Sequence, residues 1–306
     1  MAAVPPPSTQ HATQHASQRP VLRPGLRVVR RDDRHLQIGI DPPHRLIVPD
    51  HPDVRRLLAD VRCGQPPTPD SPEGTDVLAR LHAHGLLVDG DLLATAQARA
   101  TDPASAAATF AQFGPEAGDR LAARRSARVL VLGESAVRDP ALRLLAAAGV
   151  PVLPPDAAED DTTVTLVLSE GEVRRETVDA FVQAARAHLV LVCGAFECAV
   201  GPFVVPGVTA CLRCVDAHLG HLDPRRATVV EQVAGSRAPG DPVARDPSLV
   251  AMAIGWAVRD VVGYLDGDLP SLWSSTVRID AGLALTRRTW QRHPHCGCSW
   301  GDALTG

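Results

Sequence analysis

The chain has 306 residues, 45% of them hydrophobic, with 31 basic against 35 acidic side chains and a formal net charge of -4. That length is enough for two domains and a sizeable core. The charge balance excludes the global basic field that a nucleic-acid binder or a membrane-surface protein presents, and no apolar run approaches the length of a bilayer span.

No lysine occurs and aromatics make up only 3%. Residues 1–20, "MAAVPPPSTQHATQHASQRP", lack the charged-then-apolar pattern of a secretion signal and read as a disordered polar tail. Seven cysteines without such a signal point to a reducing cytoplasm, where paired cysteines mean metal or redox chemistry more often than structural disulfides. "LRVVR", "HLQIG" and "RLIV" are then three short β-prone runs, separated by the turn-rich "RDDR" and "IDPPH". Two helical stretches follow, "HPDVRRLLADVR" from 51 and "GTDVLARLHAHG" from 74. The second has Val77, Leu78 and Leu81 at helical spacing, Asp76 near its start and Gly85 as its stop. "LLVD" closes the unit. Three strands and two small helices predict a compact winged-helix-like α+β module over 21–90, and the Ala-rich residues 91–126 predict a helical linker.

From 127 to 306 the pattern changes. "ARVLVLG" predicts a buried parallel-type strand and "DPALRLLAAAGV" its crossover helix. "VTLVLS", "ETVDAFVQAARAH" and "LVLVCG" continue as strand, helix and strand. This alternation predicts a parallel sheet with helices on its faces. "FVVPG" leads into the first cysteine pair, "PSLVAMAIGWAVRDVVGYLDG" is a long apolar helix, and "LWSSTVRID" with "LALTRRTW" predicts a closing antiparallel hairpin.

Cys211 and Cys214 form C-x-x-C, and Cys296 and Cys298 form C-x-C. Zinc prefers four thiolate or imidazole ligands in a tetrahedron, and a short spacing lets two sulfurs of one segment reach one ion. Two such pairs make a complete, closed, structural site. His218, His293 and His295 lie close enough in sequence to replace a ligand. A redox C-x-x-C and four unrelated buried thiols remain as alternatives, although a redox motif acts without a second pair. Cys63, Cys193 and Cys198 stand singly and read as small buried hydrophobes.

The strand at 127 and its following turn occupy the place of a dinucleotide-binding first turn. A working fingerprint needs G-x-G-x-x-G, so that backbone amides approach phosphate at the helix N-terminus. Only Gly133 remains, followed by Glu134, Ser135, Ala136 and Val137, and Glu134 sets negative charge where phosphate would sit. Asp156 lies about where a ribose-binding acid belongs, but "DAAEDD" reads equally as a solvated acidic loop. These positions argue against ATP or a dinucleotide as cofactor.

Together, "GPFVVPGVTACLRCVDAHL", "AMAIGWAVRDVVGYLDG" and "HPHCGCSW" resemble, in that order, the E1-like (ThiF/MoeB-type) superfamily. More narrowly the chain resembles the leader-peptide-binding partner proteins of thiazole/oxazole-modified peptide biosynthesis. The match runs over about 127–300, and residues 22–90 resemble that family's N-terminal RiPP recognition element. The resemblance implies an α/β, Rossmann-like E1/ThiF-type parallel sheet with structural zinc on the four paired cysteines, preceded by the winged-helix-like module. It implies pairing as a homodimer through helices such as 248–266, which equally reads as an ordinary core helix. Adenylation chemistry transfers poorly: "VPVLPPD", the second strand, is followed almost at once by "DTTVTLVLS", without the long insert that carries the family's arginine, and no Cys or Lys stands as an obvious nucleophile. What remains is a non-catalytic protein that binds a precursor leader peptide and presents it to a separate YcaO-type cyclodehydratase, with a divergent ATP-dependent adenylyltransferase as the alternative. The leader would add a strand to an edge from "LRVVRRD" or "LQIGI". Arg27, Arg30, Arg31 and Arg34 would attract it, or else form a plain solvated cluster.

Overall fold

The computed structural model describes residues 19–154, 162–235 and 244–298. The chain divides into two compact units, one of residues up to Arg99 together with 106–118, the other of 100–105 and 119 onward.

In the first unit β1 (Pro20–Leu22) is followed by β2 (Val28–Arg30), β3 (His35–Ile38) and β4 (Leu46–Pro49). The last three form an antiparallel sheet in the order β2-β3-β4. Leu36, Ile38, Leu46 and Val48 are buried and pair across the two strands as Leu36 with Val48 and Ile38 with Leu46. That is the period of two expected when one face meets a core. The same core takes Val54, Leu57, Leu58 and Val61 of α1 (Pro52–Cys63) and Val77 and Leu81 of α2 (Pro72–Ala83). α1 starts at Pro52, which needs no donor there, and ends at Gly64, whose φ of 67° is the left-handed stop. α2 starts earlier than Asp76: the Ser71 hydroxyl accepts from Gly74 N–H at 3.0 Å, an N-cap that outranks an acid farther along. Asp53 of α1 accepts from the Ser71 hydroxyl at 2.6 Å and its N–H at 2.9 Å, fixing the entry of α2.

β5 (Leu87–Asp89) pairs antiparallel with β1. The expected tail therefore gives its last residue, Pro20, to a strand too short to show any periodicity. Beyond it α3 (Gly90–Arg99), α4 (Pro103–Phe113) and α5 (Ala117–Ser126) are helical, as the alanine content predicts. Buried Arg23 donates to the carbonyls of Ala111 at 2.9 Å and Gly85 at 3.3 Å, which ties 106–118 into the first unit.

The second unit carries a six-stranded sheet. Its strands are β6 (Val129–Leu132), β7 (Val164–Ser169), β8 (His188–Cys193), β9 (Glu197–Val204), β10 (Ser275–Asp280) and β11 (Leu285–Thr289), ordered β11-β10-β9-β8-β7-β6. Only β6, β7 and β8 run parallel; β8–β9, β9–β10 and β10–β11 are antiparallel. The expected parallel sheet is thus a mixed one. The reason is a tight hairpin after β8, where Gly194 N–H donates to Glu197 C=O at 2.9 Å and turns the chain straight back. Among the described residues of "VPVLPPD", 150–154, there is no full strand, and Val152 forms a single bridge to Val129.

α6 (Ser135–Ala147), α7 (Arg175–Gln183), α8 (Leu212–Gly220), α9 (Arg226–Gly235) and α10 (Pro247–Leu265) complete the unit. α10 buries Leu249, Ala253, Ile254, Ala257, Val261 and Val262 in one core with Val137 and Leu145 of α6 and Leu166, Leu189, Leu191 and Val200 of the sheet. By length and composition α10 is apolar enough to cross a bilayer, contrary to the sequence expectation; here its apolar surface is spent on the sheet. Asp246 caps it, accepting from Ser248 N–H at 2.8 Å. Its C-terminal Asp266 takes both arms of Arg124, at 2.7 and 2.6 Å, in a pair whose side chains are 0% and 4% exposed.

Candidate metal centre

Cys211 is the N-cap of α8 and Cys214 stands one turn on, so the two sulfurs share a face. The second pair follows β11, where His293 C=O accepts from Cys296 N–H at 2.9 Å and curls the chain. The result brings all four sulfurs within 4.8 Å of one another. The distances are 3.7 Å for Cys211–Cys214, 3.6 Å for Cys211–Cys296 and 3.4 Å for Cys214–Cys298. A tetrahedral zinc with sulfurs at about 2.3 Å has edges of about 3.8 Å, so the residues present fit such an ion. Cys211, Cys214 and Cys296 are buried and Cys298 half-buried. They lie among Val204, Ala210, Val215 and Trp290, a dry shell suited to a structural rather than an open catalytic ion. An all-sulfur donor set favours zinc over hard cations.

Within the cluster the electrostatics favour a thiolate at Cys214, while Cys211 and Cys296 are pushed up. Hydrogen bonds from Cys211 and Cys296, then the His293 N–H at 3.3 Å, hold Cys214 well below the usual thiol range. Cys211 is pushed up in turn by its bonds to Cys214 and Cys296. None of the nearby histidines is needed as a ligand. His218 Nε2 bonds the Gln291 carbonyl at 2.9 Å. His293 Nδ1 accepts from His295 N–H at 3.2 Å, which leaves the ring proton on Nε2, facing His221 Nε2 at 3.2 Å.

The other predicted residues lie elsewhere. Gly133 has φ 143°, and a Cβ there would sit 2.4 Å from the Leu168 carbonyl oxygen. Its freedom is used by the close approach of β6 to β7. Glu134 caps α6 without a side-chain hydrogen bond. Asp156 falls outside the described residues. Arg30 pairs with Asp33 at 2.7 Å and Arg31 with Gln37, while Arg27 and Arg34 flank them. β3 is the central strand of its sheet, so "LQIGI" offers no edge and only β2 and β4 are terminal. Arg80 already holds the outward carbonyl of Ile47 on β4, at 2.9 Å. On β2, Arg27 and Arg31 bond to β3, so Val28 and Arg30 turn their backbone groups outward. Cys193 and Cys198 are buried as expected, but Cys63 is exposed, because it ends α1 opposite that helix's buried stripe.

Sequence reasoning did not find a cleft of about 310 Å³ in the second unit, lined by Val190, Val192, Leu212, Val215 and Trp290. At its wall, buried Arg175 pairs with Asp216 at 2.5 and 3.0 Å. The two residues stand forty-one apart in sequence, and nothing local marks them as partners.

No protein-family model matches the chain, and no curated protein matches its sequence. Solved structures do match in fold. A heterocyclase in complex with substrate and cofactor superposes with a TM-score of 0.66 at 18% identity, over 92% of this chain and 40% of its own. The heterocyclase TruD gives 0.63 at 18% identity, over 92% and 42%. Escherichia coli MccB, the microcin C7 biosynthetic enzyme, in complex with N-formylated MccA gives 0.59 at 12% identity, over 92% and 99%. The likeness is one of fold, and the chain spans about two fifths of the length of those heterocyclases.

Proposed function

We propose that the chain is a non-catalytic partner protein that binds the leader of a ribosomally made precursor peptide and presents it to a YcaO-type cyclodehydratase. The observation that carries this reading is the open β2 edge, with Val28 and Arg30 facing outward beside Arg27, Arg31 and Arg34, in a chain folded over 92% of its length like the heterocyclases. An extended acidic leader adds a strand there, its backbone bonding Val28 and Arg30 and its carboxylates meeting the arginines. In this reading the first unit is the winged-helix-like recognition module and the second an E1/ThiF-like body. Zinc in the four-sulfur site staples that body, which works as a homodimer in the cytoplasm, with no nucleic acid or membrane partner.

The use of Gly133 in sheet packing supports a body without nucleotide chemistry. The match to MccB, a protein solved with the nucleotide analogue AMPCPP and MccA, favours the second reading, a divergent adenylyltransferase. Fluorescence anisotropy with a labelled, extended acidic leader-like peptide separates the parts of the claim. Arg30→Pro removes an outward N–H without touching the β2–β3 ladder, and the expected effect is binding at least about tenfold weaker, the equivalent of 1.4 kcal/mol, with Arg30→Ala falling between. Equal binding by all three proteins removes the β2 edge from the reading. ATP–pyrophosphate exchange above background moves the chain to the adenylyltransferase class.

A further inference from the structure

Cys193 ends β8, Cys198 lies in β9, and the two stand directly opposite each other. The next rung outward, Gly194 with Glu197, is hydrogen-bonded, while the Cys193 carbonyl faces β7 and accepts from Gly171 N–H at 3.1 Å. The 193–198 rung is therefore of the non-hydrogen-bonded type, in which Cα atoms approach to about 4.5 Å. A disulfide spans Cα separations of about 4.4–6.8 Å, so the strands already hold the two residues at bonding range. Each thiol shifts the other's titration, Cys193 upward and Cys198 downward. Both are free and buried, and neither belongs to the four-sulfur cluster. Between them the chain exposes a two-residue tip, with Phe196 86% exposed. One hydrogen-bonded rung separates the pair from water, and opening of a hairpin tip is the cheapest local unfolding a sheet offers.

We propose that Cys193 and Cys198 are a dithiol modification site, oxidised to a disulfide by hydrogen peroxide. A thiolate of the pair attacks the peroxide O–O bond, forming a sulfenic acid and releasing hydroxide. The second sulfur then displaces the sulfenic hydroxyl, forming the S–S bond. In sum two thiols and one peroxide give one disulfide and two waters; the sulfurs lose two electrons and the peroxide gains them. Burial makes the first step slow and makes the second fast, because the resolving cysteine already stands directly opposite. The bond then locks the β8–β9 hairpin at its tip.

The test uses the full chain loaded with zinc. After peroxide treatment and alkylation, cleavage after Glu197 separates the two cysteines, so a bond between them appears in mass spectrometry as a linked pair of peptides that reduction releases. The expected result is that link, with loss of two alkylatable thiols. In Cys193→Ser the sulfenic acid at Cys198, the thiol of the pair that is pushed down, has no resolving partner and is trapped by dimedone, whereas the wild type gives no such adduct. The proposal is overturned if Cys193 and Cys198 are recovered as free thiols under conditions that oxidise Cys63. It is equally overturned if either cysteine of the pair proceeds to sulfinic acid in the wild type without the link.

Discussion

Replacing Gly133 with alanine separates two reasons for keeping a glycine after the first strand of the second unit. A phosphate cradle would lose ligand and keep its stability. The geometry here demands the opposite. At φ 143° a residue with a side chain is strained by about 1–3 kcal/mol. The new Cβ would lie 2.4 Å from the Leu168 carbonyl oxygen and 3.0 Å from its Cβ. Backbone cannot swing aside as a flexible side chain can, so the overpacking adds about 1–3 kcal/mol more. The expected loss is therefore about 2–6 kcal/mol, against typical domain stabilities of about 5–15. Trp256, Trp273 and Trp290 all lie in the second unit, so urea unfolding followed by tryptophan fluorescence reads that unit. A Gly133→Ala protein whose midpoint and slope place it within about 0.5 kcal/mol of wild type, the scatter of an unremarkable surface change, would refute the packing argument.

Arg124→Ala breaks the bidentate pair with the fully buried Asp266 carboxylate and leaves Arg120, 3.8 Å away, still beside it, and the expected loss is about 3 kcal/mol, the low end for a broken buried pair, in the same unfolding assay; a loss under about 1 would mean that Arg120 or water replaces the guanidinium. Burial drives the His188 imidazole below its usual range, with Nδ1 bonded to the Arg186 carbonyl at 3.0 Å and Nε2 lacking any partner. The unfolded chain takes up this proton near pH 6.5 and the folded chain only at lower pH. The contribution is thus fully present above about pH 6.5 and is lost as pH falls, by up to about 1.4 kcal/mol per unit. Stability measured from pH 7.5 to 5.5 shows this as a slope that His188→Gln removes; parallel curves would exclude it. Elemental analysis of the purified chain should give one zinc per molecule, absent in Cys214→Ser, and chelation should lower the unfolding temperature. A metal-free chain with four titratable thiols and unchanged melting would dismiss the ion.

The sequence carried most of the elements and the whole of the four-sulfur cluster, because both depend on spacing along the chain. Two C-x-(x)-C pairs fix which sulfurs travel together, and the curl at His293–Cys296 needed no long-range information. Strand direction was not legible. "LVLVCG" reads the same whether its neighbour is parallel or antiparallel, and only the turn at Gly194–Glu197 reverses the chain. β1 is three residues long and is defined by its partner Leu87–Asp89 rather than by itself. The edge stayed open between "LRVVRRD" and "LQIGI" for a related reason: which of three consecutive strands lies in the middle is a property of pairing, and only the structure puts the first at the edge and the second in the centre.

β11 is exposed at all five of its positions, and Trp290 N–H to Ser274 C=O at 2.7 Å is its last tie to β10. Six residues farther on, the chain reaches Cys296 and is drawn back to α8. The outermost strand is thus gripped along one side by a neighbour and drawn in beyond its end by the four-sulfur cluster. An ion held by those sulfurs would clasp it there, and its removal would let the strand fray from its far end inward, so amide exchange in Leu285–Thr289 becomes a gauge of how fully the cluster is loaded.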